Sequence, residues 1–181
     1  MPLVSVDVQA IPMVHTEDVS TLISDSGIVR YLLEAKVWDM YSKGVDPYWH
    51  FPKGIHVERF DSLFNVIGNI VADTAYFFEK KKLWRAIGNV VVKNMEGTTF
   101  ETSELFWNQD APANDGNAFY THQIVKITKP DGSFLIGDIG FRSDQALEHP
   151  FLFLGKGELN IVESTDSIQQ ETVSPDTLPR P

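Results

Sequence analysis

The sequence predicts an all-β chain, arranged as an antiparallel sandwich, barrel or open roll. Three observations carry this. From Gly27 onward apolar residues recur with a period of two. Short runs rich in β-branched and aromatic residues then follow one another, separated by turns containing Gly, Pro and Asn. No stretch after Gly27 carries the period of a long helix.

Along the chain, residues 1–26 read as an N-terminal flanking segment. Thr16, followed by the acidic Glu17 and Asp18, has the form of a cap and first turn for one short helix over residues 16–24. The domain proper spans 27–162. In IVRYLLEAKVWDMY, Val29, Tyr31, Leu33, Ala35 and Val37 alternate with Arg30, Glu34 and Lys36, which predicts a long half-buried strand. SKGVDPYWHFPKG is expected to be a loop, marked by Gly44, Pro47, Pro52 and Gly54. Further strands are predicted over 55–60, 63–67, 70–78, 83–93, 98–107, 119–129, 133–141 and 151–162. Residues 79–82, 94–97 and 130–132 read as hairpin turns, and Asp131-Gly132 is a pair that admits positive φ. Residues 108–117 form a longer polar loop. Gly68-Asn69 and Gly88-Asn89, 20 residues apart, each look like the start of a strand. Residues 163–181 are polar and contain Pro, and predict a disordered acidic tail.

A chain of 181 residues with 43% hydrophobic content suits one domain with flanks. Net charge is −10. Residues 1–26 carry −4 of it and 163–181 carry −3, which leaves −3 for the body. That distribution argues against a nucleic-acid partner, which asks for a basic face. With no cysteine, disulfides, zinc–thiolate sites and cysteine nucleophiles are excluded. No apolar run reaches the length of a membrane helix, and the first residues lack the pattern of a signal peptide.

No metal site is expected. Of the five histidines, His50 and His56 lie closest, with Pro52 and Gly54 between them, and no metal-ligand spacing surrounds any of the five. There is no serine elbow, and Gly155-Lys156-Gly157 is too short for a phosphate loop. Asp61, Asp73, Glu101, Glu104 and Asp138 would support hydrolysis only if two of them faced one cleft. The aromatics Trp38, Trp49, Trp84 and Trp107 suit either a core or an interior open to acyl chains. Lys80, Lys81, Lys82 and Arg85 stand beside that apolar run, where they would meet phosphate or simply solvent. A different class of reading is an extracellular carbohydrate-binding or scaffolding sandwich, with Tyr48, Trp49 and Trp107 as sugar platforms.

Five segments, taken in order, resemble the LptC family, the bridge component of lipopolysaccharide export: SDSGIVRYLLEAKVWDMY, DPYWHFPKGIHVERFD, IVADTAYFFEKKKLWRAIGNVVVKN, GTTFETSELFWN and IGDIGFRSD. The resemblance covers roughly residues 19–162, and PYWHFPKG is similar to the Bacteroidetes-type branch. It implies a twisted antiparallel β-roll of jelly-roll type with an apolar trough. It also implies a non-enzymatic role without cofactor: passing lipopolysaccharide from an inner-membrane ABC transporter to a periplasmic LptA-like β-roll protein. The location implied is periplasmic, anchored to the inner membrane by a segment absent from this chain. On that reading the expected trough residues are Tyr31, Leu33, Val37, Ile70, Ala72, Trp84, Ala86, Val90, Val92, Phe100 and Phe106. Partner-docking edges are expected on the first long strand (Ile28, Arg30, Tyr41) and on the last (Phe151, Phe153, Leu159, Ile161).

Overall fold

The structure is a computed structural model that describes residues 11–44, 46–113, 115–153 and 155–158. The expected acidic tail, and Leu159 and Ile161 of the expected last edge, lie outside the described residues. Within them the chain is all-β and antiparallel. The strands are β1 (Val14–Asp25), β2 (Ile28–Tyr41), β3 (Tyr48–Phe51), β4 (Ile55–Phe60), β5 (Val66–Ala72), β6 (Thr74–Phe78), β7 (Leu83–Asn94), β8 (Thr99–Asn108), β9 (Phe119–Thr121), β10 (Val125–Thr128), β11 (Phe134–Gly137), β12 (Phe141–Ser143), β13 (Phe151–Leu152) and β14 (Gly155–Glu158).

Four long strands organise the sheet. One half of β2 pairs with β4, and the other half with β3. β7 pairs with β5 at one end and β6 at the other. β8 continues alongside β7 and divides in the same way between β10 and β9. β1 runs the whole length of β2. Two layers result. The first has the order β1-β2-β4-β5-β7-β8-β10-β11-β14, and the second β1-β2-β3-β6-β7-β8-β9-β12-β13. The strands shared by both layers bend where they pass from one to the other, and β2-β4-β5-β7-β6-β3 closes on itself. This is a jelly-roll-like roll.

Each strand crosses between layers at a corner, and the corners hydrogen-bond in a row. Gly54 N donates to Asp73 O at 2.7 Å, and Asp73 N donates to Gly88 O at 2.9 Å. Asn89 Nδ2 donates to Asp73 Oδ2 at 2.8 Å, and the Thr102 hydroxyl donates to Ile124 O at 2.9 Å. Gly88 and Asn89 both have positive φ and form a bulge inside β7. Gly68-Asn69, by contrast, lies within β5, paired with Asn94 and Lys93. The two Gly-Asn pairs are therefore not equivalent strand starts.

The corners also explain where sequence periodicity misplaces boundaries. Strands expected over 70–78, 119–129 and 133–141 are each cut in two, at Asp73, at 122–124 and at 138–140. The run expected at 63–67 begins only at Val66, and β3 occupies part of the expected loop 42–54. The hairpin turns at 79–82, 94–97 and 130–132 are in place, and Gly132 has φ 84°.

The segment expected as a helix over 16–24 is strand β1 instead. Val19 and Ile23 pack on the core, and hydrogen bonding along β2 outweighs the local capping signal. This also overturns the expected edge on β2. Ile28, Arg30 and Tyr41 lie on a strand flanked by β1 on one side and by β3 and β4 on the other, so the edge on this side of the roll is β1. At the far side the ends are β13, which carries the half-exposed Phe151, and β14; Phe153 follows β13 directly.

The half of the roll around β8 to β12 is closed by large side chains. Phe100, Phe119, Phe141, Val125 and Ile127 are at most 1% exposed, and Phe100 stacks on Phe141 across the layers at 5.5 Å. Leu147 is tucked into this core by the loop 144–149. There Asp144 accepts hydrogen bonds from Glu148 N at 3.0 Å and from His149 Nδ1 at 2.6 Å.

Two predictions follow from the corners and this loop. A Cβ on Gly140 (φ 114°) would lie 2.1 Å from the carbonyl of Thr121, whereas one on Gly27 (φ 81°) meets nothing within 4 Å. Gly140→Ala should lower urea-measured stability by more than about 2 kcal/mol, and Gly27→Ala by only about 1 kcal/mol. Equal losses would show that the corner carries no special constraint. In the second case, the hydrogen bond to Asp144 raises His149 above its ordinary 6.5. Burial pushes Asp144 up, but its bonds to His149 and the Glu148 backbone outweigh this and leave it below 3.8. The histidine's contribution is complete below pH 6.5 and disappears as pH rises through its folded pKa. The aspartate's is complete above 3.8 and disappears on acidification. An NMR titration should place His149 above 6.5 and return it close to 6.5 in Asp144→Asn. An unchanged midpoint in that variant would exclude the pairing.

Candidate functional site

At the other end the layers part. A cleft of about 310 Å³ opens between them, walled by Ile23 of β1, Tyr31 and Leu33 of β2, Trp49, Phe77, Trp84 and Trp107. Each wall residue lies on the inward parity that its strand has on this side of the corner. Their contacts hold the walls rigid. Trp84 packs on Phe77 at 4.6 Å and Phe51 at 5.9 Å, Trp49 on Phe77 at 4.9 Å, and Tyr31 edge-on against Trp107 at 5.6 Å. Aromatic pairs in such offset and T-shaped geometries add about 0.5–1.5 kcal/mol each beyond their burial.

Polar groups tie down the rim. The Trp49 indole donates to Glu79 Oε1 at 2.6 Å, and the Trp107 indole to Gln145 Oε1 at 2.9 Å. Gln145 in turn donates to the carbonyls of Asn108 and Ala111 at 2.8 and 3.1 Å, which pins the 108–117 loop. Beneath Trp107 lies the guanidinium of Arg59, 5.3 Å from that ring and 5.8 Å from Phe119, donating to Gln145 O at 2.7 Å. Burial pushes its pKa down, Tyr31 opposes this, and the two rings lie close enough for cation–π attraction. Lys82 stands at the mouth in a left-handed conformation (φ 47°), its ammonium 5.8 Å from the Phe77 ring, with Asp25 and Asp110 also at the rim. Among the described residues the buried indole nitrogen of Trp84 has no hydrogen-bond partner.

Below the cleft, between Ile55, Val57, Ile70, Ala75, Trp84, Ala86, Leu105 and Trp107, an apolar cavity of about 20 Å³ continues inward. Beyond it the roll is filled.

The expected trough residues therefore separate into groups. Tyr31, Leu33 and Trp84 wall the cleft, and Ile70 and Ala86 line the small cavity. Ala72, Val90, Val92 and Phe100 are packed core at 1–3% exposure. Val37 is buried outside the main core. Phe106 is on the outer face, stacked on Tyr120 at 5.0 Å. The alternation that puts Phe100 inside shifts by one residue at the corner around Ser103, where β8 passes from β10 to β9, so that Leu105 and Trp107 point inward instead.

None of Trp49, Phe77, Trp107 and Lys82 was among the expected trough residues, although Trp49 and Trp107 were read as core or open interior and Lys82 as meeting phosphate or solvent. The alternative reading made Trp49 and Trp107 sugar platforms together with Tyr48, but both are interior, and only Tyr48 of that set is outside. The candidate carboxylates do not converge on the cleft. Asp61 accepts from Leu63 N and Asn65 N in its own turn, Asp73 holds Asn89, and Glu104 holds Arg85.

No family model and no curated protein matches this chain.

Proposed function

We propose that the protein carries lipopolysaccharide, taking acyl chains into the cleft between its layers and passing them between partners docked on its sheet edges. The observation that carries this is the cleft: an aromatic-walled opening of about 310 Å³ with a lysine at its mouth and an apolar cavity behind it. Each methylene entering such a space gains about 0.8 kcal/mol. Lys82 suits the phosphate of an anionic lipid head, against which the Asp25 and Asp110 carboxylates of the same rim act. The volume is at the low end for small-molecule sites, so as it stands the cleft holds the end of one chain. Admitting more requires a wall to move, and β1 is the candidate. It pairs with β2 alone among the described strands, and none of its residues is buried.

In this reading the partners are an inner-membrane ABC transporter, whose ATP hydrolysis supplies the energy, and a periplasmic LptA-like β-roll protein. The docking edges are β1 on one side and β13 with β14 on the other. In this reading the protein itself performs no covalent step and works in the periplasm, at the inner membrane. Among the described residues no helix is long and apolar enough to cross a membrane.

Photo-crosslinkable residues at Leu33, Phe77 and Trp84 should capture lipopolysaccharide from mixed vesicles, and one at Val71, exposed on the outer face of β5, should not. Equal capture from Val71 would count against the cleft. Tyr31→Glu, at a half-buried wall position, should reduce binding about tenfold or more while leaving the melting transition cooperative. A folded Tyr31→Glu protein with undiminished binding would place the lipid elsewhere.

A further inference from the structure

The outer face of the second layer is not the polar surface that an antiparallel sheet normally turns to water. Directly paired residues form a transverse ladder across it: His50 opposite Tyr76, Tyr76 opposite Arg85, Arg85 opposite Phe106, and Phe106 opposite Tyr120. Tyr120 in turn faces Arg142, and Arg142 faces Phe151. The rings are ordered. His50 and Tyr76 stack at 4.4 Å and 6°, Tyr41 and Tyr48 at 4.7 Å and 13°, and Phe106 and Tyr120 at 5.0 Å and 9°.

Between the first two stacks is a slot of about 150 Å³ lined by Tyr48, Tyr76, Phe78 and Arg85. Each tyrosine already has one face occupied, Tyr48 by Tyr41 and Tyr76 by His50, so the slot walls are fixed before anything enters. Arg85 is fixed as well. Its Nε and Nη2 hold Glu104 Oε1 at 2.7 and 2.6 Å, and its guanidinium lies 5.8 Å from the Phe106 ring.

The geometry points to this slot and ladder as a binding site for a linear, uncharged glycan, with one sugar ring seated among Tyr48, Tyr76 and Phe78 and the chain running across β7 and β8 toward Phe106 and Tyr120. A sugar ring presents C–H groups to aromatic rings and hydroxyls at its rim. Those hydroxyls both donate and accept, and the slot offers both in its two phenols and the remaining guanidinium N–H groups, with the Glu104 carboxylate beside them on Arg85. Charge selects against the other stacking polymer. A single-stranded nucleic acid needs a continuous basic groove, whereas Arg85 is paired with Glu104, which leaves Arg142 at the far end of the ladder and Lys81 beside Phe78 as separate cations. A proline-rich helix, the other ligand of aromatic grooves, offers carbonyl acceptors alone and leaves the carboxylate unused. From Tyr76 to Phe106 is two strand spacings, about 10 Å, so several sugar units are engaged at once. The inference stands apart from the lipid reading, because slot and cleft lie on opposite faces of the same strands.

Titration calorimetry and amide NMR on the whole chain would use cellohexaose, laminarihexaose and the hexamer of N-acetylglucosamine, with decaproline and a thymidine oligonucleotide as competitors in class. At least one hexasaccharide should bind and shift amides of β3, β6 and β7, and its monosaccharide should bind far more weakly. Tyr76→Ala should weaken binding about tenfold or more. Arg85→Lys, which keeps the charge but loses the fork, should weaken it without changing the melting transition. Val71→Ala, on the other layer, should leave it unchanged. No hexasaccharide binding at millimolar concentration, undiminished binding by both folded slot variants, or binding of decaproline or the oligonucleotide in place of the sugars would overturn the assignment.

Discussion

The rest of the structure depends on the hydrogen-bonded row of corners through Gly54, Asp73 and Gly88. An antiparallel sheet wide enough to bury this many aromatics must fold back on itself or leave one face in water. Here it folds along one line, and the line is specified chemically. The Asp73 carbonyl accepts from Gly54 N, its amide donates to Gly88 O, and its side chain accepts from Asn89. A Cβ on Gly88 would sit 2.6 Å from the Asp73 carboxylate, so the residue whose backbone links the corners also excludes, through its side chain, any larger residue at 88. Every backbone group freed by breaking the ladders at the bend is costly unless paired, and this row pairs several of them across adjacent strands.

Where the corners lie determines where the roll opens. On the side of β9 to β12 the layers are bridged by Phe100, Phe119 and Phe141, and the core is closed. On the side of β1 and β2 the two layers are held apart by tryptophans whose polar ends reach the rim, Trp49 toward Glu79 and Trp107 toward Gln145. Rings anchored at their edges cannot collapse into the gap between them. The cleft is thus a consequence of anchoring and not of missing volume. Arg59 reinforces this from below, since its half-buried guanidinium lies against both Trp107 and Phe119, which stack on each other at 5.5 Å, and braces the wall ring.

Much of this was legible in the sequence wherever a strand keeps one inward parity. Residues 28–41 and 55–60 alternate cleanly, and their strands have the expected bounds. Alternation fails at corners because the inward parity can change there. Ile70 and Ala72 point inward, yet so do Ala75 and Phe77 after Asp73. Phe100 points inward, yet so do Leu105 and Trp107, which is why Phe106 was assigned to the wrong face. The strand β1 was illegible for another reason. Its apolar positions are sparse because it sits at an edge, and local capping chemistry at Thr16 to Asp18 resembled a helix start while the long-range partner, β2, gave no local signal. The cleft's tryptophans were visible as residues, but which face each occupied was not.

The two layers differ in a way that bears on what the molecule touches. In the first layer the outward positions are polar or mixed: His56 and Glu58 on β4, Asn69 on β5, Lys93 on β7, Glu101 on β8 and Lys126 on β10. In the second layer the inward residues Trp49, Phe77, Trp84 and Trp107 alternate with outward Tyr48, Tyr76, Phe78, Arg85 and Phe106, so both faces carry aromatic rings. Burial in the core accounts for the inner set. It does not account for the outer set, whose rings are stacked on one another and remain partly exposed. Strand propensity is satisfied equally by threonine or valine at such positions, and solubility is better served by charge. Rings held on edge across five strands gain most when something covers them, and the pairing of the outer rings with an arginine and a carboxylate gives that covering a polar as well as an apolar demand. The same strands thus present an apolar cleft to one side and a mixed aromatic and polar groove to the other. Insertion into the cleft against Trp84 and occupation of the slot beside Arg85 act on adjacent residues of a single strand.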